Sequence, residues 1–294
     1  MITVSRDILS EIQSRMDSFS KGQKLIGRFI LENYDKAAFM TAARLGRAVQ
    51  ISESTVVRFA AELGYDGYPA MQKALQDVIR GKLTTVQRIG VAVDKVEVED
   101  VLDKVVRSDI EKLRLTQAEL NREDFAASVE AIVNARRIYI LGVRASEALA
   151  DFLAFYFELI FDNVWQVQTN LASEMFEQML RVGKEDVVIG ISFPRYSTSC
   201  VRAMKFARDQ GAVVVAVTDS EMSPLYNIAN YRLLAKSGMA SFVDSLVAPL
   251  SIINALIVAS GWRKPEGITD TFEQLERIWD EYQIFEKVKY DKQQ

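Results

Sequence analysis

Residues 40–68 read MTAARLGRAVQISESTVVRFAAELGYDGY, and this stretch indicates two helices joined by a tight turn. Ser52 is a suitable N-cap for the second helix, because its side-chain oxygen can accept from the free N–H groups of the first turn. Gly64 is placed to end that helix, since glycine readily adopts the left-handed conformation that follows many helices. The pattern is typical of a helix-turn-helix, a motif whose second helix enters the major groove of DNA.

The second helix has an apolar face and a polar face. Its apolar side chains recur at helical spacing and are expected to pack inward: Val56, Phe59, Ala60 and Leu63. DNA contacts are predicted for the polar side chains of this region: Thr41, Ser52, Ser54, Thr55 and Arg58. Arginine can read guanine or hold a phosphate. Gln50 occupies the turn position that usually holds glycine, so it must adopt a strained backbone. An ordinary helical hairpin is the alternative.

Composition excludes several kinds of site. The chain has 294 residues, 49% hydrophobic and 26% charged, which is long enough for about two domains. It contains no histidine, so histidine-dependent triads and histidine metal sites are excluded. Cys200 is the single cysteine, so one chain can build neither a disulfide framework nor a cysteine zinc site. We expect no cofactor and no metal, although carboxylate or lysine chemistry remains possible.

Charge and hydropathy bear on location and partners. The net charge is −4, but residues 1–80 carry +2 and the remainder −6. This asymmetry favours DNA binding by the first part, although a solvated face would look similar. The N-terminus lacks the pattern of a secretory signal. The most apolar segment, 246–261, is shorter than the roughly 20 residues of a bilayer span. We expect a cytoplasmic protein with no membrane partner, and a core or interface helix at that segment.

Downstream of the motif, apolar strands alternate with helices. Five strands are predicted, at residues 138–141, 164–167, 187–191, 212–218 and 231–235. Fully apolar strands in such an alternation indicate a doubly wound α/β domain, a five-stranded parallel sheet with helices on both faces. We therefore predict an all-α helix-turn-helix domain over residues 1–80, a linker over 81–97 and the α/β domain over 98–294.

Two of the predicted strands, the first and the third, end in segments rich in hydroxyl and arginine side chains. Serine hydroxyls and free backbone N–H groups at a helix N-terminus form an anion site, and arginines would add positive charge. Ligands of doubly wound sheets bind beyond the carboxyl ends of the strands. We predict these ligand-binding residues: Gly142, Arg144, Ser146, Ser192, Arg195, Ser197 and Thr198. The alternative is that the serines are only helix caps.

On these residues the whole chain resembles the RpiR family of bacterial transcriptional regulators, which join an N-terminal helix-turn-helix domain to a sugar isomerase (SIS) domain. The resemblance rests on residues 51–75 and on GVRAS (142–146), SFPRYS (192–197) and VTDSEMSPL (217–225). It implies two partners, a double-stranded DNA operator and a phosphorylated sugar. It also implies homodimers or homotetramers assembled through the SIS domains.

The family pattern holds the phosphate with a serine after the first strand and with a Ser-x-Ser-Gly-x-Thr loop. By this resemblance, Ser146 matches the first serine and Ser192 the first serine of the loop. Ser197 replaces the threonine of the loop and preserves its hydroxyl. The resemblance therefore implies that these three hydroxyls contact the anion.

Three positions depart from the family pattern. Pro194 stands where the second serine of the loop is expected, and it removes a hydroxyl and an N–H group. Arg195 and Arg144 each stand where glycine is expected, and arginine provides a fork suited to carboxylate or phosphate. An anionic effector is still expected, with a phosphorylated sugar as the first candidate and a sugar acid or another carboxylate as the alternative.

The sequence thus predicts a bacterial DNA-binding transcriptional regulator that senses a small anionic metabolite and is not an enzyme. A second hypothesis is a sugar-phosphate isomerase, for which Glu147 and Glu174 are the candidate acid–base groups. Isomerases with SIS domains commonly use glutamate and histidine, and histidine is absent. A third hypothesis is a pure assembly module with a vestigial pocket, in which the apolar helix at 243–261 forms an interface.

Overall fold

The computed structural model describes residues 8–80, 84, 86–89, 100–169, 171–238 and 243–286. The chain folds as two compact units: Met1–Glu111 with Ser237–Ser245, and Lys112–Lys236 with Leu246–Gln294. Within the described part of the chain, no helix combines the length and apolar character needed to cross a bilayer.

The first unit is helical. Its helices α1 to α6 are Ile8–Arg15, Lys21–Glu32, Tyr34–Ala37, Ala42–Ala48, Glu53–Glu62 and Tyr68–Arg80. Ser20 begins α2 with a reciprocal cap, because its hydroxyl accepts from the Gln23 amide while the Gln23 side chain accepts from the Ser20 amide. The four side chains predicted to face inward from α5 are all buried in one core with α1, α2, α4 and α6. The predicted amphipathic face of α5 is therefore confirmed.

Most of the predicted linker at 81–97 lies outside the described residues; residues 84 and 86–89 are described. In this short stretch the Gln87 side chain donates to Asp35 at 3.2 Å. Arg88 is 3% exposed and pairs with Asp244 at 2.7 Å between Nη1 and Oδ2. These residues are packed into the first unit.

Helix α7, Val101–Glu119, leads into the second unit. The remaining elements, in chain order, are α8 (Arg122–Val133), β1 (Arg137–Gly142), α9 (Glu147–Glu158), β2 (Val164–Gln166), α10 (Ala172–Gln178), β3 (Asp186–Ile191), α11 (Thr198–Asp209), β4 (Val213–Thr218), β5 (Tyr231–Leu234), α12 (Val247–Trp262) and α13 (Pro265–Glu281). All five predicted strands are present. Asn121 caps α8, since its side chain accepts from the amides of Glu123 and Asp124.

The five strands form one parallel sheet in the order β2-β1-β3-β4-β5. Alternate strand residues face two separate cores, because successive side chains of a strand point to opposite faces. Ile138 and Ile140 pack against α8, α9 and α12 on one face. Tyr139 and Leu141 pack with α10 and α11 on the other. The predicted doubly wound sheet, covered by helices on both faces, is confirmed.

The strand order places a switch point between β1 and β3. The chain leaves the carboxyl end of β1 toward β2, and it leaves the carboxyl end of β3 toward β4. These two connections run in opposite directions across the sheet. Gly142 and Ile191 are register partners at these ends. Ligands of open α/β sheets bind in the crevice at such a point. The two segments predicted to bind ligand begin here, side by side.

Candidate functional sites

The turn of the helix-turn-helix depends on close backbone packing. Gln50 has φ 58, so the predicted left-handed residue is present at this turn. A Cβ atom at Gly46 would lie 2.6 Å from the Ile51 carbonyl oxygen, which explains why only glycine fits there. Gly64 has φ 87 and ends α5, with its amide donating to Ala61. The predicted start and end of the second helix are therefore confirmed.

Hydroxyl groups cluster at the N-terminal end of α5. Ser52 caps the helix by accepting from the Thr55 amide at 3.3 Å. Its Oγ also lies 3.0 Å from Ser54 Oγ and 2.8 Å from Thr55 Oγ1. Arg58 lies back along the helix, where its Nε donates to the Ser54 carbonyl at 3.3 Å. Four of the five residues predicted to contact DNA thus lie together, with Ser52, Ser54 and Arg58 exposed.

Thr41, the fifth predicted residue, begins the preceding helix. It is exposed and caps α4 by accepting from the Arg44 amide at 3.2 Å. The neighbouring Met40 carbonyl accepts from the Tyr68 hydroxyl at 2.8 Å and from the Gln72 side chain at 2.7 Å. Burial raises the pKa of Tyr68 to about 12, so its hydroxyl stays a donor at neutral pH. These contacts from α6 fix the start of α4.

The segment after β1 is tightly packed. A Cβ atom at Gly142 would lie 2.4 Å from the Ser146 carbonyl oxygen and 2.9 Å from Ala150 Cβ. Arg144 is exposed and has φ 61. Ser146 immediately precedes α9 and is 8% exposed, yet its hydroxyl does not cap the helix. That hydroxyl has no hydrogen-bond partner among the residues that the structure describes.

The segment after β3 has a similar arrangement. Ser192 is 4% exposed and its amide donates to the Val217 carbonyl at 3.1 Å, whereas its hydroxyl contacts no hydrogen-bonding group of the described chain. Arg195 is exposed and has φ 66. Ser197 caps α11 by accepting from the Cys200 amide at 3.4 Å. The alternative interpretation of the serines as helix caps is therefore correct for Ser197. Thr198 is the exposed first residue of α11.

This arrangement is suited to an anion. The switch point gathers two helix N-termini, the hydroxyls of Ser146 and Ser192, and two arginines, Arg144 and Arg195. Helix N-termini present free N–H groups and a partial positive charge. Both arginines hold the left-handed conformation that glycine would adopt freely, at the two positions where glycine was expected. The loops therefore keep a glycine-like backbone while carrying two cations.

A polar network behind the second segment was not predicted. The Tyr196 hydroxyl donates to Asp219 Oδ1 at 2.7 Å, and Asp219 is 5% exposed. The Thr218 hydroxyl donates to the Ser192 carbonyl at 2.7 Å and lies 2.7 Å from Ser223 Oγ. A polar run directly after an apolar strand was the available signal, because β4 lies beside β3 and their carboxyl ends meet at one edge.

The glutamates of the isomerase hypothesis lie on helix surfaces. Glu147 is the exposed first residue of α9. Glu174 is exposed on α10 and accepts from the Thr169 hydroxyl. The described residues contain no cluster of acidic or cysteine side chains that could hold a metal ion. Neither glutamate has the buried setting that would mark it as an acid–base group.

Comparison with known protein families assigns both parts of the chain. Residues 6–81 match the helix-turn-helix domain of the rpiR family, and residues 131–259 match the SIS domain. An HTH-type transcriptional regulator of Caldanaerobacter subterraneus, itself uncharacterised, is 25% identical over 276 residues, which cover 92% of this chain and 96% of the relative. The regulator HexR of Pseudomonas aeruginosa is 28% identical over 217 residues, 72% of this chain and 73% of HexR.

Solved structures share the fold. The sugar isomerase domain of an RpiR transcription factor from Sphaerobacter thermophilus has a TM-score of 0.58 and 26% identity, and covers 60% of this chain and 99% of its own. NanR of Vibrio vulnificus, solved with ManNAc-6P, has a TM-score of 0.57 and 24% identity, and covers 93% and 98%. The chain belongs to the RpiR family of transcriptional regulators, with an N-terminal helix-turn-helix domain and a C-terminal SIS domain.

Proposed function

We propose that this transcriptional regulator binds operator DNA through α5 and that a small anionic effector, bound at the switch point of the SIS domain, changes its affinity for that DNA. We assign residues 1–80 to DNA binding and 98–294 to the effector. The observation that carries the proposal is the pair of hydroxyls of Ser146 and Ser192 at the switch point, which lack hydrogen-bond partners within the described chain. A serine hydroxyl that no protein group engages can donate to an oxygen of a bound anion.

A phosphorylated sugar is the first candidate for the effector. Phosphate offers several acceptor oxygens to serine hydroxyls and to the free amides at the start of α11. The NanR of Vibrio vulnificus, which shares this fold, was solved with ManNAc-6P. That complex supports a phosphorylated sugar as the ligand class for this chain.

The substituted loop favours a second candidate, a sugar acid or another carboxylate. Pro194 withdraws a hydroxyl and an N–H group from the cradle, whereas Arg195 and Arg144 add two guanidinium forks at its rim. Arginine binds planar carboxylates in a bidentate way. Both candidates need the same serines, so a ligand screen can separate them.

On the DNA side, the exposed hydroxyls and Arg58 on α5 supply phosphate and base contacts. A dimer would place two recognition helices on a roughly palindromic operator. The effector changes DNA affinity only if it binds the two conformations of the protein unequally. We propose no enzymatic step, because neither Glu147 nor Glu174 is buried.

The test is a thermal-shift screen of the full-length protein with sugar phosphates, sugar acids and small dicarboxylates. A ligand at 100 times its dissociation constant should stabilise the second unit by about 2.7 kcal/mol. Ser192→Ala should abolish the shift. The control is Ser251→Ala, which changes an exposed serine on α12 and should leave the shift intact. A hit from carboxylates alone selects the second candidate. A panel with no hit, or a hit that Ser192→Ala leaves intact, contradicts the proposed site.

We also propose that the SIS domains assemble into homodimers or homotetramers. Apolar side chains are exposed on α9 and α12, among them Phe155, Val258 and Trp262, the last 80% exposed. Val258 and Trp262 lie at a groove of about 350 Å³, whose lining residues are Tyr156, Ile160, Ile257, Val258, Gly261, Trp262, Pro265, Ile268, Thr269 and Phe272. Contiguous apolar patches on a protein surface mark interaction sites.

Sedimentation analysis tests the assembly. Trp262→Glu should convert the oligomer into monomers, because a buried unpaired carboxylate at an interface is costly. Leu180→Glu, which changes an equally exposed apolar residue on another surface of the same unit, should leave the mass unchanged. A monomeric wild-type protein, or an oligomer that tolerates Trp262→Glu, contradicts this interface.

A further inference from the structure

Residues 192–197, here named the effector loop, are held at their first residue by a hydrogen bond from the last residue of β4. The Thr218 hydroxyl donates to the Ser192 carbonyl at 2.7 Å, and Ser223 Oγ lies 2.7 Å from Thr218 Oγ1. A hydroxyl has one hydrogen to donate, so Ser223 must be the donor to Thr218. The Leu225 amide in turn donates to Ser223 at 3.3 Å. This chain of donors fixes the backbone of Ser192.

A second tie holds the other end of the loop. Tyr196 is half-buried and donates to Asp219 Oδ1 at 2.7 Å. The Ser220 hydroxyl lies 3.5 Å from the other carboxylate oxygen. A distance of 2.7 Å is typical of a well-formed O–H···O hydrogen bond, whereas 3.5 Å lies beyond the usual range. The Tyr196–Asp219 bond is therefore the restraint on this end of the loop.

The position of Tyr196 gives the tie its importance. Ser197, the next residue, caps α11, whose first amides face the switch point. Arg195, the preceding residue, has φ 66, a conformation that costs energy for any residue with a Cβ atom. Without an external restraint, the loop could relax this strain by moving Tyr196 and the start of α11. The phosphate-facing amides would then lose their alignment.

We propose that Asp219 is a positioning residue that acts through Tyr196 and holds the effector loop in its anion-binding conformation before the ligand arrives. The proposal rests on the proposed function of the loop as an effector site. It assigns Asp219 no contact with the ligand. Restraining a loop in its bound conformation raises affinity because less conformational entropy is lost on binding.

The first measurement needs no ligand. Hydrogen–deuterium exchange of the full-length protein should show faster exchange of the peptide 192–200 in Tyr196→Phe and in Asp219→Ala, by about tenfold. Asp219→Asn keeps a carbonyl acceptor for the tyrosine and should restore most of the protection. Exchange in β3 should not change in any variant. Unchanged exchange of this peptide in Tyr196→Phe would overturn the proposal.

The second measurement uses inorganic phosphate and ManNAc-6P as probes in calorimetric titrations. Tyr196→Phe and Asp219→Ala should each weaken binding about tenfold, the size expected for losing one well-formed hydrogen bond. The double variant should bind no more weakly than either single variant, because both remove the same bond. Asp219→Asn should bind close to wild type.

Each result bears on one proposal. Suppose that a variant whose loop exchanges faster still binds the probes with wild-type affinity. In that case the Tyr196–Asp219 bond would be purely structural, and the positioning role of Asp219 would be overturned. Additive losses in the double variant would also overturn it, since Asp219 would then act independently of Tyr196. A wild-type protein that binds neither probe contradicts the phosphorylated-sugar candidate, and the exchange measurement still decides whether Asp219 restrains the loop.

Discussion

Gly142→Ala places a methyl group at the point where β1 meets the effector site. The added Cβ atom would lie 2.4 Å from the Ser146 carbonyl oxygen, whereas ordinary contact begins near 3.4 Å. The obstructing atom is backbone, so it cannot rotate away as a flexible side chain would. Either the end of β1 or the segment that carries Ser146 must move by about 1 Å.

The cost has two parts. Overpacking of this kind destabilises a protein by about 1–3 kcal/mol. Alanine has a smaller backbone entropy than glycine in the unfolded chain, which offsets roughly 0.5–1 kcal/mol of that loss. We expect the second unit to lose about 1–2 kcal/mol of unfolding free energy. A hydrogen bond to an anion tolerates a range of only about 0.5 Å in length, so a 1 Å shift of Ser146 should weaken effector binding by about tenfold or more.

Urea unfolding followed by tryptophan fluorescence measures the first part, because all three tryptophans, Trp165, Trp262 and Trp279, belong to the second unit. Titration with inorganic phosphate measures the second part. Gly183→Ala is the control, since a Cβ atom at Gly183 meets no atom within 4 Å. It should change stability by less than about 0.5 kcal/mol. A Gly142→Ala protein with wild-type stability and phosphate affinity would refute the packing argument.

Three further predictions follow from single residues. If Arg58 reads a base, Arg58→Ala should weaken operator binding by about 1–3 kcal/mol and relax specificity at one base pair. If Arg58 holds a phosphate, the substitution should weaken binding to all DNA sequences alike. Unchanged binding in a gel-shift assay rejects both roles. Arg195→Gly should stabilise the second unit by up to about 1 kcal/mol, because glycine adopts the left-handed φ without strain. The same substitution should weaken effector binding measured by calorimetry. Unaltered affinity would exclude a role for the guanidinium. Burial raises the pKa of the Cys200 thiol to about 12. The free energy of unfolding should therefore fall as pH rises above about 8.5, because the thiol then ionises in the unfolded protein but not in the folded protein. At pH 8 a thiol reagent should modify Cys200 only as fast as the protein unfolds, and rapid modification of the folded protein would contradict its burial.

The fold could be predicted because its determinants are local. Each strand is an apolar run flanked by helical segments, and the alternation alone implies a parallel sheet covered on both faces. The Ser52 cap could be placed because a side chain three residues before a free amide is the only partner needed. Gln50 could be identified as strained because a tight turn between helices leaves few backbone conformations.

The site could be predicted only in part, because its remaining contacts join residues far apart in sequence. Tyr196 and Asp219 are separated by 23 positions, and Thr218 reaches Ser192 over 26. Their pairing depends on β4 lying beside β3, which the alternation of strands and helices does not specify. Hydroxyl and arginine content located the two loops, but the sequence did not distinguish Ser197, which caps a helix, from Ser146 and Ser192, which do not.

Strain connects the two proposed sites. The non-glycine residues with left-handed φ in the described chain are Gln50, Arg144, Arg195 and Gln283. The first three lie in the turn of the helix-turn-helix and in the two candidate ligand-binding segments. Such conformations cost about 1–3 kcal/mol each and persist where the surrounding structure enforces them. At Arg195 the enforcing contacts are visible, since Ser192 accepts from Thr218, the last residue of β4, and Tyr196 donates to Asp219, the residue after it. These two hydrogen bonds hold the loop in a glycine-like shape although arginine stands at this position. If the proposed site is correct, effector binding should therefore depend on the conformation of the loop as well as on its hydroxyl groups.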